Sequence, residues 1–393
     1  MAEEEQSKVT VTVHGDILET IVSHIPLHLL LPACFVSKHW NAAVFSSLRR
    51  FNNPKPWLLL HTQSIRRPQT ATAFAYDPRS HLWLRINRKL PHEHVSAALR
   101  CSSSSAAILY VLNPSEFSFS IDPLHLTWHH VNPPSVWRID PIVAVVGHRI
   151  IVAGGACEFE DDPLAVELYD ISSRTWERTE SMPATLKDSA ASTWLSVTAN
   201  TQTIIIMEQR SGVTHSFNPD SKTWNGPYDL RPDPNIYFSA IAFHGGYKLI
   251  MLGLLGDPDD TNEVKVWELS GESFEFYNEI GKMPPELVEK LKGEGTSFSS
   301  IRISSIAGNF FYIHNPGEPG ELVALEVGDG GRCQWGSLKN PAASDRSRVA
   351  ERVVFTCSDV RLSDIGRAVA TGDEIEDQQD NQRSANLIGR GGR

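Results

Sequence analysis

Two hydrophobic periodicities divide the chain. Between residues 14 and 44, Ile17, Ile21 and Ile25 stand four apart, with Leu18 and Val22 beside them. That spacing predicts an amphipathic helix with a wide apolar face. Asp16, with Glu19 three residues later, has the form of a capping box, and Pro26 ends the helix. A second apolar run, Leu27 to Val36, contains Pro32, which predicts a kink or a fresh helix start because proline removes a backbone donor. "SKHWNAAV" reads as a third short helix. Helices this few and short cannot close a core alone, since domains below about forty residues usually need help. Their apolar side chains need cover, either from another protein or from the domain that follows.

From residue 53 the helical period gives way to short β-branched and aromatic runs bounded by Gly, Pro, Asn and Asp. The segments "YDPRSHLW", "IDPLHLTW", "YDISSRTW", "FNPDSKTW" and "WELSGESF" share one template, a bulky residue followed by a turn and an aromatic seven positions on. The closing aromatics Trp83, Trp128, Trp176, Trp224 and Phe274 recur at intervals of 45, 48, 48 and 50 residues. A looser sixth copy ends at Trp335. Ahead of the copies lie strand pairs with tight turns at Gly147, Asn200, Gly245–Gly246 and Gly308, residues that supply the positive φ such turns demand. Each unit is therefore expected to be four antiparallel strands, a propeller blade, which buries both faces only inside a ring.

Residues 53–368 hold six such blades, with the repeat aromatics as wedges between neighbours. The first unit begins on its second strand, "WLLLHT", so "RVVFTCSDV" near the C-terminus is expected to supply the missing inner strand and close the ring. The expected organisation is a flexible 1–12, a helical 13–52, a propeller over 53–368, and a polar tail, 369–393, without structure. Strand direction sorts the connections. First-to-second and third-to-fourth turns share one face, while second-to-third loops and inter-blade connections share the other. Because residue 53 leads into a second strand, the helices are expected on the short-turn face. The opposite face carries "RRPQ", "EFEDDP", "GDPDD", "NPGEPGE" and a helix in "PPELVEKLKGEG" with proline at its start and glycine at its end.

Composition narrows the function. The 393 residues carry a formal charge of −11 with no Lys/Arg-rich block, which argues against a nucleic-acid surface. No clean apolar stretch of about eighteen residues predicts a membrane span, and no secretory signal is visible. Five scattered cysteines without a C-x-x-C pair read as reduced thiols, hence cytoplasm or nucleus. His92–His94 and His129–His130 lack partners at metal-ligand spacing, and the acidic loops miss the alternating calcium order, so no metal or cofactor is expected.

The order Leu18, Ile21, Ile25, Pro26, then Leu30, then Val36-Ser37-Lys38-x-Trp40 resembles an F-box. The departure is at Val13-His14, where that family has Leu-Pro. Gly154-Gly155 followed by Tyr169 and Trp176 resembles a kelch repeat, although the other copies lack the double glycine. Together they resemble the plant F-box/kelch-repeat proteins. The resemblance implies a mainly β fold, a six-bladed kelch-type β-propeller preceded by a small all-α F-box. It also implies a non-catalytic substrate-recognition subunit of an SCF ubiquitin ligase. Its partners would be a Skp-family adaptor, through it a cullin, and a target protein. Adaptor contact falls to Asp16, Ile17, Leu18, Ile21, Ile25, Pro26, Leu30, Val36 and Trp40. On the far face, Glu160, Asp161, Asp162, Asp259 and Asp260 are the candidate target contacts. The alternative is a kelch scaffold whose helices only cap the propeller. A propeller oxidase would need a copper constellation of which no cluster is visible.

Overall fold

The structure is a computed structural model that describes residues 15–50, 55–65, 71–86, 98–104, 108–156, 162–245, 247–294, 298–306, 308–328, 330–343, 351–362, 364 and 375–377. Among the described residues three helices, α1 (Asp16–Ser23), α2 (Leu27–Cys34) and α3 (Lys38–Arg50), precede 24 strands. The strands form six sheets arranged as the blades of a propeller. Helix α1 begins without the expected box: Gly15, at φ 64°, is its N-cap, with no side-chain cap bond, and Asp16 is the first helical residue. Pro32 lies in the last turn of a single helix α2, where it neither restarts nor ends it.

Blade 1 is built from both ends of the chain. Strand β1 (Trp57–Ser64) pairs with β2 (Ala71–Asp77), which pairs with β3 (Leu82–Ile86), and the inner position is filled by β23 (Glu351–Ser358). Eight consecutive pairs, Trp57 with Ser358 through Ser64 with Glu351, close the ring as the sequence predicts. Most of the tail lies outside the described residues, as do Val13, His14, 1–12, "RRPQ" and His92–His94. Within that tail, expected to be without structure, Ile375–Asp377 forms β24 on the outer edge of β3. A free strand edge offers backbone donors and acceptors to any passing extended segment.

Blade 3 (β7, Ile142–Val146, to β10, Thr175–Thr179), blade 4 (β11, Leu195–Ala199, to β14, Thr223–Asp229), blade 5 (β15, Ile236–His244, to β18, Phe276–Lys282) and blade 6 (β19, Arg302–Ser305, to β22, Cys333–Lys339) are four-stranded. Blade 2 departs from the expected four. Strands β4 (Leu109–Asn113), β5 (Glu116–Ser120) and β6 (His129–Val131) form a three-stranded sheet whose inner place, among the described residues, holds the isolated bridge Arg100–Tyr110. The cause is the serine run, which crosses the axis. The Ser104 N–H and hydroxyl both donate to the Val197 carbonyl, its hydroxyl also lies 2.8 Å from the Ile241 carbonyl, and Ser305 N–H donates to the Ser104 carbonyl. Small polar side chains suit this path because their hydroxyls satisfy carbonyls that a strand partner would otherwise take.

The repeat aromatics sit between blades. Trp176 packs with Phe117, Phe119 and Tyr169 and donates its indole N–H to the Asn132 carbonyl of the preceding blade, 2.9 Å away. Trp224 does the same toward Glu180. Trp83, Trp128 and Trp335 lie in three further inter-blade clusters. Blade 5 corrects the sequence register. Tyr277, opposite Leu269 as Trp176 is opposite Tyr169, holds the repeat position and donates its hydroxyl to the Asp229 carbonyl at 2.6 Å. Phe274 is a turn residue at φ 56°, buried against Tyr228. Helix α4 (Pro285–Lys292) forms where expected and buries Leu287, Val288 and Leu291 on the core shared by blades 5 and 6.

Two predictions follow from closure and burial. A chain ending after residue 348 should aggregate or melt far below one ending after 370, because it leaves β1 as an open edge. Equal melting of the two would show that β23 is dispensable. Burial holds the His61 ring down to about 4, and burial with the Arg302 charge holds His314 down to about 3. Both rings stay neutral in the fold while the unfolded chain protonates near 6.5, so their stabilisation is complete above that pH and is lost on acidification toward 4 and 3. Thermal melts should show Tm falling from pH 6.5 downward. A chain carrying His61→Gln and His314→Gln should lose most of that slope between pH 6.5 and 4.

Candidate functional site

The helices attach where strand direction predicts, on the face of the short turns. Arg79, in the turn from β2 to β3, donates from Nη2 to the Val22 and Ser23 carbonyls at the C-terminal end of α1, where a cation also meets the helix dipole favourably. Asp77 holds that turn by accepting from Arg79 N–H and the Ser80 hydroxyl. Leu18, Val22, Leu30 and Val44 share one core with Trp57, Leu59 and Ala75 of blade 1, and with Val360 and Leu362 beyond β23. The helices are thus half covered by their own propeller.

This divides the nine expected adaptor contacts. Leu18 and Leu30, 2% and 0% exposed, are committed to the internal core and are removed from the contact surface. The correction has a plain cause: a helical stripe shows which residues seek burial, not against what. Ile25, Pro26 and Trp40 are half-buried. Asp16, Ile17, Ile21 and Val36 remain outward, with Ile17 67% and Val36 62% exposed. Phe35, 80% exposed, joins them, as do Leu29 and Phe45, three residues that motif reading did not select.

On the opposite face the described residues include only part of the expected acidic site. Glu160 and Asp161 lie outside the described residues, as does the Asp260 side chain. Asp162 is occupied: Arg178 Nη2 donates to it at 2.8 Å, the Ser181 hydroxyl at 2.6 Å and Leu164 N–H at 3.1 Å. Burial alone would raise its carboxyl, but these donors hold it below the usual range. It ties its own loop rather than awaiting a ligand. Asp259 is exposed at the tip of the second-to-third hairpin of blade 5.

What that face does contain is a funnel at the axis, about 640 Å³ in volume, walled by the starts of the inner strands. The crossing segment Ser102–Ser104 lies along it, and Gln209, Ser304 and His314 line it. Arg302, Arg352 and Arg100 come from the inner edges of three consecutive blades, 6, 1 and 2. Arg100 is neutralised by Asp140, 2.9 Å away. Burial would raise the Asp140 carboxyl, but hydrogen bonds from Ser192 and Thr193, with the Arg100 charge, hold it low. Arg302 and Arg352 have no carboxylate partner among the described residues. Outside the funnel, Arg210 stacks on exposed Trp194, its guanidinium carbon 5.2 Å from the ring centroid. Sequence reading missed this site because its residues come from many distant segments. The available signal was a charged residue at the start of successive inner strands.

The double glycine of blade 3 permits a close backbone approach. Gly154 and Gly155, at φ 60° and 63°, let the chain approach the backbones of Ala190 and Asp140, where a side-chain carbon would come within 2.3 Å of each. Beside them Arg138 donates to the Gly154 carbonyl and pairs with Glu167 at 3.0 Å, both side chains fully buried.

A ring of six blades with a funnel on one face, and an apolar helical module on the other, defines a propeller-type protein-interaction module. No family model matches the chain. It is 46% identical over 366 residues to the F-box/kelch-repeat protein At1g23390 of Arabidopsis thaliana, covering 90% of this chain and 91% of that one. The chain belongs to the F-box/kelch-repeat proteins.

The two kinds of helical apolar residue give a direct test. Leu18→Asp buries a charge in the core shared with blade 1 and should lower Tm by many degrees. Ile17→Asp and Val36→Asp, on the open face, should leave Tm within a degree or two of the wild type. Equal effects in thermal melts would contradict the assigned orientation of α1.

Proposed function

We propose that this protein is the substrate-receptor subunit of an SCF-type ubiquitin ligase, its helices docking on a Skp-family adaptor and its propeller holding a target protein. The observation that carries the reading is the set of exposed apolar side chains Ile17, Ile21, Phe35 and Val36 on a helical module whose other side is already buried. Single exposed apolar residues are ordinary, but a cluster on one small helical module is a mark of an interaction surface. Family membership supports the choice of adaptor. In this role the chain supplies proximity and orientation, with ubiquitin transfer carried out by other subunits, and it works in the cytoplasm or nucleus. The helices and the funnel occupy opposite faces, so a target can be held while the adaptor is engaged.

Full-length protein co-expressed with a Skp-family adaptor tests this. Wild type should co-purify with the adaptor, and the variant carrying Ile17→Asp and Val36→Asp should lose at least about a hundredfold in affinity, since each large aliphatic side chain contributes roughly 1.5–3 kcal/mol on burial. The substituted side chains are exposed, so a matched Tm separates lost docking from lost folding. Undiminished co-purification would leave the helices as a cap on the propeller and remove the ligase reading.

A further inference from the structure

We propose that the axial funnel is the target-binding pocket and that it takes an acidic peptide segment, with a carboxylate seated between Arg302 and Arg352. This deepens the receptor reading and rests on it only in taking the ligand to be part of a protein.

The first observation is uncompensated charge. In a chain of net charge −11, three arginines from the inner edges of adjacent blades line one concavity, and Asp140 neutralises only Arg100. Guanidinium groups at a funnel mouth focus an attractive field on anions and match the fork of a carboxylate.

The second observation is independent of charge. Three polar side chains of the residues lining the funnel are more than nine-tenths buried, and among the described residues each holds a buried atom with no hydrogen-bond partner: Ser103 Oγ, Gln209 Oε1 and His314 Nδ1. Buried polar groups are almost always paired, so three unpaired atoms in the wall of one cavity mark a wall in want of further polar partners. Gln209 Oε1 is an acceptor and needs a donor. A peptide brings both what the arginines need and what Gln209 needs, a carboxylate and backbone N–H groups. A polyphosphate brings acceptors alone.

The lining is also one-sided. Cations mark blades 6, 1 and 2, while hydroxyls of Ser192 and Thr193 line the side toward blades 3 and 4, with Trp194 exposed just outside. A polyanion with charge all round would leave half of this rim unused. An acidic segment with an apolar neighbour matches both halves. The volume lies in the range of small-ligand pockets, enough for a few side chains rather than a single ion.

The test uses the full chain and a fluorescein-labelled peptide, Gly-Ser-Gly-Glu-Glu-Leu-Glu-Gly-Ser-Gly, beside its twin with Gln for every Glu. Fluorescence anisotropy should show the Glu peptide binding at least about tenfold tighter than the twin, with affinity falling as salt rises. Arg302→Gln and Arg352→Gln should each weaken it about tenfold, with Tm and adaptor co-purification unchanged. Equal binding of the twins, or full binding by the double variant, would overturn the proposal. So would capture of inositol hexakisphosphate, sensitive to both substitutions, without capture of the peptide. Peptide binding that persists where the adaptor fails to co-purify would support the pocket while removing the ligase reading.

Discussion

A four-stranded sheet with two apolar faces is not stable alone, so every blade here depends on a neighbour at each side, and the last dependence is met by joining residues about three hundred positions apart. Eight pairs between β1 and β23 meet it. Without them the clusters between blades 6 and 1, and between blades 1 and 2, would each lose one wall. The indole and phenol donors of Trp176, Trp224 and Tyr277 then fix blade to blade at the rim, where the wedge between sheets is widest. Closure at the axis and hydrogen bonds at the rim divide the same task by radius.

Much of this architecture was legible because the repeat places one large aromatic at one position per blade, and a period survives when other residues drift. The legibility failed where a local pattern imitated the repeat. Phe274 fits the template by composition, but the turn of blade 5 is longer, and the inter-blade bond belongs to Tyr277. It failed again at blade 2, where "CSSSS" suggests neither strand nor loop until blades 4, 5 and 6 are in place to accept it. The helical segment shows a third kind of limit. Its stripe marks apolar residues correctly, yet Leu18 and Ile17, adjacent in sequence, face an internal core and open solvent respectively. Partition between two burial partners is a property of the docked pair, which one helix cannot report. The funnel was the least legible feature, since Arg302, Arg352 and Arg100 meet only through ring closure.

The two faces differ in chemistry as well as position. The helical side presents aliphatic and aromatic surface, which suits a durable, salt-insensitive contact. The funnel presents charge, which suits a selective contact whose strength responds to conditions. Ser104 ties blades 4, 5 and 6 together at the axis between them.

The core that α1–α3 share with Val360 and Leu362 has a consequence for how the protein is born. The helices leave the ribosome first, but part of the surface they rest on is made last. At the usual pace of synthesis the interval is on the order of tens of seconds. During it the helical module has no finished seat, and a chain that stops early never gives it one. Completion of the module is thereby made conditional on completion of the ring. Truncated products are denied the rigid attachment that a whole molecule has, a form of quality control written into the order of the residues.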